Sequence, residues 1–176
     1  MLRYLIIMVA LSLGVVFYVQ SKSSMPDIAS WERNTEDGTL QRIVKVDDYW
    51  VETHFEQDNG AFVRTYGGKW SITEDSVLVE IHFDSNDSSS VGNIVDYTFQ
   101  ITDGGSLNLN GTTYERVQDE QEGMMAGAWF INGRMRDGVL QERAFGARRT
   151  LKILTGSTFQ WIAYHVETGQ FSGSGG

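Results

Sequence analysis

Val77-Leu78-Val79-Glu80-Ile81-His82-Phe83-Asp84 sets Val77, Val79, Ile81 and Phe83 on one face of an extended chain and Leu78, Glu80, His82 and Asp84 on the other. Successive strand side chains point to opposite faces, so this order describes a strand with one buried face and one wet face. Val95-Asp96-Tyr97-Thr98-Phe99-Gln100-Ile101-Thr102 repeats the pattern shortly afterwards. Outward from this pair, strand signals recur at residues 30–34, 40–46, 49–55, 62–66, 70–73, 106–109 and 112–117, a spacing typical of sandwiches and barrels. Asn110-Gly111 is the favoured two-residue hairpin turn, and Asp58-Asn59-Gly60 and Asp103-Gly104-Gly105 mark further turns. The chain holds 19 glycines against one proline, and no stretch from Ser21 onward carries a sustained helical stripe. It therefore reads as all-β. Eight or nine strands in sequence without a crossover helix are antiparallel, and closing on themselves hides their edges. Residues 27–118 are predicted to form an antiparallel up-and-down β-barrel, with Val77, Val79, Ile81, Phe83, Val95, Tyr97, Phe99 and Ile101 pointing inward.

The remainder of the chain reads like a second writing of the first. Asp37-Gly38-Thr39-Leu40-Gln41, after Trp31, returns as Asp137-Gly138-Val139-Leu140-Gln141, after Trp129. Trp50-Val51-Glu52-Thr53-His54-Phe55 aligns with Phe159-Gln160-Trp161-Ile162-Ala163-Tyr164, and Asn59-Gly60-Ala61-Phe62 with Thr168-Gly169-Gln170-Phe171. Turn residues and aromatics kept in register predict one β unit used twice. Residues 119–123 read as a linker and 124–176 as a second unit of about five strands, by the same spacing. Counterparts of residues 70–117 are missing from it, so the expectation is a truncated copy, less ordered than the first, in a longer native chain. The alternative is that the second half adds strands to the first barrel or to a second molecule.

Short motifs carry a family resemblance. Ala29-Ser30-Trp31 and Gly127-Ala128-Trp129 resemble the Gly-x-Trp that opens lipocalin-like barrels, the first copy with alanine in place of glycine. Tyr114-Glu115-Arg116 is similar to the last-strand Tyr-x-Arg of lipocalins and fatty-acid-binding proteins. Arg148-Arg149-Thr150-Leu151-Lys152-Ile153 and Phe159-Gln160-Trp161 resemble strands of small exported lipocalin-like proteins of Bacteroidota. The resemblance implies that Trp31, Arg116 and Trp129 are closure residues, the arginine packing over the opening tryptophan. It also implies a barrel with a possible lumen.

Charge and the N-terminus bound the function. Leu5 to Val19 is an uncharged apolar run of 15 residues behind Arg3, short of the roughly 20 that span a bilayer. Residues 1–26 are therefore read as an apolar helix serving as signal peptide or uncleaved signal anchor. Either role exports the rest to the periplasm, the cell envelope or the medium, with membrane contact only through this segment. There are no cysteines, which removes disulfides, thiolate metal sites and cysteine nucleophiles. Residues 27–120 carry 19 acids against 6 bases, a balance that repels phosphate backbones and speaks against nucleic acid. Residues 121–176 carry 4 acids against 6 bases, and Arg143, Arg148, Arg149 and Lys152 read as a solvated edge.

The sequence carries no recognisable catalytic constellation. His54, His82 and His165 lack ligand spacing, and Asp84-Ser85-Asn86-Asp87-Ser88 lacks the glycine and distal glutamate of a calcium loop. The carboxylate pairs Glu36/Asp37, Asp47/Asp48, Glu74/Asp75 and Asp119/Glu120 fall at turns, and no Gly-x-Ser-x-Gly elbow or phosphate loop occurs. No enzyme, metal or cofactor is expected. Trp31, Trp70, Phe83, Tyr97 and Phe99 read as core. The expected function is an exported, non-enzymatic binding protein that takes a small apolar or amphipathic molecule at a barrel mouth. Trp50, Arg64, Tyr66 and Trp70 are the candidate contacts, supplying aromatic surface and one charge able to meet a carboxylate. The alternative is a cell-envelope structural or interaction domain with a side-chain-filled barrel and no lumen ligand.

Overall fold

The computed structural model describes residues 25–119 and 123–176. The expected N-terminal helix and signal segment up to residue 24, and most of the linker, lie outside the described residues. Among the described residues no helix is long and apolar enough to cross a membrane.

Eight strands form the first unit: β1 (Ile28–Asn34), β2 (Thr39–Val46), β3 (Tyr49–Glu56), β4 (Phe62–Ile72), β5 (Ser76–Asp84), β6 (Ile94–Ile101), β7 (Leu107–Leu109) and β8 (Thr112–Arg116). Each pairs antiparallel with the next, and β8 returns to β1 with Arg116 opposite Trp31, closing an up-and-down barrel. Tight polar turns make such short connections possible. Asn110 and Gly111 both adopt positive φ, 49° and 82°, the backbone of the hairpin turn that matches strand twist. Val77, Val79, Ile81, Leu107 and Leu109 are buried in the lumen, with Val95, Tyr97, Phe99 and Ile101 packed against them.

Two sequence expectations change at one place. Residues 62–66 and 70–73 are not separate strands but parts of β4, which bends at Gly67-Gly68 and continues. Gly67 has φ 152° and lies so close to β3 that a Cβ would overlap the Trp50 carbonyl oxygen. Only glycine fits there. Across this bend Gly67 faces Phe83 while Gly68 faces Ile81, so His82 is the extra residue of a β-bulge. The bulge turns Phe83 out of the lumen, contrary to the period-2 reading. Phe83 instead packs on the outside of the wall, its ring 5.0 Å from that of Tyr164.

The second unit has six strands rather than five: β9 (Gly127–Phe130), β10 (Gly133–Arg136), β11 (Val139–Glu142), β12 (Arg148–Leu154), β13 (Phe159–His165) and β14 (Phe171–Gly175). β10 and β11 form a separate hairpin, and the others an open sheet in the order β14-β13-β12-β9. This sheet is not a half barrel around a lumen of its own. Its inner face, Leu151, Ile153, Ile162 and Tyr164, lies against Val44, Val46, Tyr49, Val51 and Phe83 of the barrel wall in one buried cluster. Polar contacts pin the two layers: Gln160 Nε2 donates to Thr53 Oγ1 at 2.5 Å, and the Asp47 carboxylate accepts the Ala128 N–H at 2.8 Å. The division into two independent units gives way because β2 and β3 are largely apolar on both faces over residues 43–46 and 49–51. Exposing the outer face would leave that surface in water, and the second sheet covers it.

Candidate functional site at the barrel mouth

The lumen is layered from one end to the other. At the closed end Trp31 is wholly buried, and its indole N–H donates to the Gly105 carbonyl at 2.9 Å. The Arg116 guanidinium lies 5.1 Å from the Trp31 ring centre and donates to the Ile28 carbonyl at 3.1 Å. Beside it Lys45, also buried, donates to the carbonyls of Pro26 and Asp27 at 2.6 and 2.9 Å. Its ammonium sits 4.2 Å from the Trp70 ring centre, a cation–π contact. Burial disfavours the charged form and pulls the Lys45 pKa down to about 8, against the opposing pull of Asp27 and Asp47.

A column of rings fills the middle. Trp31 and Trp50 stack with centroids 6.4 Å apart and planes 28° apart. Trp50 and Tyr97 stack at 6.4 Å and 23°. Trp50 is fully buried, and its indole N–H has no partner.

Polar groups gather above the rings at the open end. Glu52 is only 4 % exposed and meets His54 Nε2 at 2.7 Å. Burial, followed by the charge of Glu52, raises the pKa of the Tyr66 phenol far above its ordinary value. Tyr97 is raised as well, by burial first. Tyr114 donates to Gln41 Oε1 at 3.3 Å, and burial pushes its pKa up to about 12. These phenols act as neutral hydrogen-bonding groups. Arg64 stacks over Tyr66 at 4.6 Å and gives both a 3.2 Å and a 2.5 Å hydrogen bond to the Asp84 carboxylate. Asp84 also accepts the backbone N–H groups of Asn86 and Asp87 at 3.0 and 3.2 Å, tying down the loop that carries the 3₁₀ turn Ser88–Ser90. Burial alone would raise the Asp84 pKa. The Arg64 hydrogen bond and charge, together with those two amides, outweigh it and hold the carboxyl below its ordinary value.

Of the four expected contacts, only Arg64 and Tyr66 come together at the mouth. Trp50 stands in the ring column, and Trp70 lies at the opposite end against Lys45, its indole N–H donating to the Asp47 carbonyl at 2.9 Å. The carboxylate that Arg64 meets is the protein's own Asp84. Among the closure residues, Trp31 and Arg116 lie together, whereas Trp129 stands within β9 half exposed, its indole N–H donating to the Met125 carbonyl at 2.9 Å. Glu52, His54, Asp84, Tyr97 and Tyr114 belong to the same cluster, and none of them is among the contacts expected from the sequence. Glu52 and His54 share the parity of Trp50 along β3, which was the available signal. Among the described residues, no group of three His, Asp or Glu side chains is placed to hold a metal ion. No known family model matches the chain, and neither a curated protein nor a solved structure matches it.

Proposed function

We propose that this chain is an exported, non-enzymatic binding protein of lipocalin-like kind whose barrel is a filled scaffold and whose surface does the binding. The stacked column of Trp31, Trp50 and Tyr97 carries this reading, because it occupies the space a lumen ligand would need. The Arg64–Asp84 pair supports it, since Arg64, the mouth cation expected to meet a ligand carboxylate, is already engaged. The lipocalin-like assignment rests on the Trp31–Arg116 closure and the Gly-x-Trp and Tyr-x-Arg motifs, and kinship with exported proteins of Bacteroidota rests on the strands at 148–153 and 159–161. Placement in the periplasm or cell envelope rests on the apolar run at the N-terminus.

A second reading places a small amphipathic ligand at the mouth, favoured by the convergence of Glu52, His54, Arg64 and Tyr66 there. Tryptophan fluorescence of the full chain, titrated with fatty acids, separates the two. With a filled barrel, whatever change occurs persists in Trp50→Phe, because Trp50 is remote from the bound molecule. A saturable change that vanishes in Trp50→Phe and survives in Trp129→Phe would overturn the filled-barrel reading.

A further inference from the structure

We propose a binding site for a free, single-chain anionic amphiphile in the groove on the solvent face of the second sheet. The proposal deepens the surface-binding reading above by naming its site and ligand class. The sheet register builds the groove: on the face away from the barrel, Lys152 of β12 stands opposite Trp129 of β9, and Leu154 of β12 opposite Phe159 of β13. With Ile131 and Met125 these side chains enclose about 300 Å³, the lower end of ligand-site volumes. Trp129 is 50 % exposed, and its indole N–H is satisfied by the Met125 carbonyl, which anchors the ring at the groove. Phe159 and Ile131 are similarly exposed beside it. A single-chain tail laid on these groups removes from water an apolar surface that the fold leaves uncovered.

Lys152 decides what the other end of the ligand must be. Among the described residues it is the only charged side chain in the groove wall, and no carboxylate pairs with it. A carboxylate at the end of an acyl chain meets that ammonium while the chain follows Trp129, Leu154 and Phe159. The charge distribution favours a free molecule over a bilayer. The adjoining barrel, with 19 acids against 6 bases over residues 27–120, repels an extended anionic surface, whereas one carboxylate meets chiefly the nearby lysine.

The test is a titration of the full chain with decanoate below its micellar concentration, read by tryptophan fluorescence and calorimetry. The proposal expects saturable one-site binding whose fluorescence change is lost in Trp129→Phe. Lys152→Gln should weaken binding by roughly three- to tenfold, Lys152→Arg should restore it, and decanol should bind with the weakness of the Gln variant. Equal binding of decanoate and decanol, unaffected by Lys152→Gln, would overturn it as an unspecific apolar groove. Binding to phosphatidylglycerol vesicles without binding to free decanoate would overturn it in favour of a lipid surface. Self-association that blocks decanoate and is relieved by Trp129→Ser would give the groove to a second copy and overturn it too. A signal lost in Trp50→Phe but kept in Trp129→Phe would sink the filled-barrel reading itself, a result distinct from the other three.

Discussion

The side-chain amide of Gln160 reaches across from the second sheet to the barrel wall and donates to Thr53 Oγ1 at 2.5 Å, with Thr65 Oγ1 at 3.3 Å. Thr53 and Thr65 are themselves 2.9 Å apart and Ser174 Oγ lies 3.2 Å from the same amide, so four polar side chains close on one another between the two layers. A buried polar group without such partners is costly, and this seam therefore fixes how the two layers register.

The two layers should accordingly unfold together. Calorimetry and circular dichroism are expected to give one coincident transition, and protease should find residues 124–176 as resistant as the barrel. Gln160→Ala leaves the two threonine hydroxyls short of a donor and should cost about 1–3 kcal/mol of stability. Two separate transitions in the wild type would show that the shared core contributes little.

Asp84 sets a second expectation, in acid. Its folded pKa lies below the ordinary carboxyl value, so its contribution is complete above about pH 3.9 and is lost as pH falls through the lower, folded value. Asp84→Asn should destabilise the protein by about 1–3 kcal/mol at neutral pH, a figure reduced because Arg64 is partly exposed. The variant should also lose part of the wild-type stability change seen as pH falls below the ordinary carboxyl range, measurable by denaturant titration.

At the other end of the scale Lys45 gives a slope of the same sign, stability rising with pH. Its folded pKa, about 8, is below the ordinary lysine value of about 10.4. Between those values the unfolded chain binds the extra proton, so this group adds stability as pH rises, by roughly 3 kcal/mol at most. The buried phenols Tyr66, Tyr114 and Tyr164 have raised values and oppose it above about pH 10, where the unfolded chain loses its protons first. Subtracting the stability profile of Lys45→Met from that of wild type isolates the lysine. A flat difference between pH 8 and 10 would contradict the assignment.

Gly67→Ala is expected to be severely damaging. The added carbon would strike the Trp50 carbonyl on the neighbouring strand, where nothing flexible can yield. Loss of about 3 kcal/mol or more, or failure to fold, is expected, against about 1 kcal/mol or less for Gly→Ala at the open turn position Gly104. Thermal melts of the two variants, side by side, make the comparison.

The barrel was legible in the sequence because its inner face obeys period two: Val77, Val79, Ile81 and Val95, Tyr97, Phe99, Ile101 all lie where alternation puts them. Phe83 was misread because a bulge adds one residue, and period-two counting has no means of registering an insertion. Gly67-Gly68 was the visible hint. The docking of the second sheet was also written in the residues. Ile43-Val44-Lys45-Val46 and Tyr49-Trp50-Val51 are largely apolar at odd and even positions alike, the mark of strands covered on both sides. At the mouth, the pairing of Arg64 with Asp84 joins residues twenty positions apart on neighbouring strands. Such a pairing depends on the register, which the same bulge shifts.

The ring column has an optical consequence. Two indoles with centroids 6.4 Å apart and planes tilted by 28° couple their electronic transitions, and in a chiral setting such coupling splits into a paired circular-dichroism band. Neither Trp129 nor Trp161, both in the second sheet, is stacked on another indole, so the paired band originates in the barrel. It offers a light-based report on whether the lumen is closed, readable while events at the second sheet are followed separately.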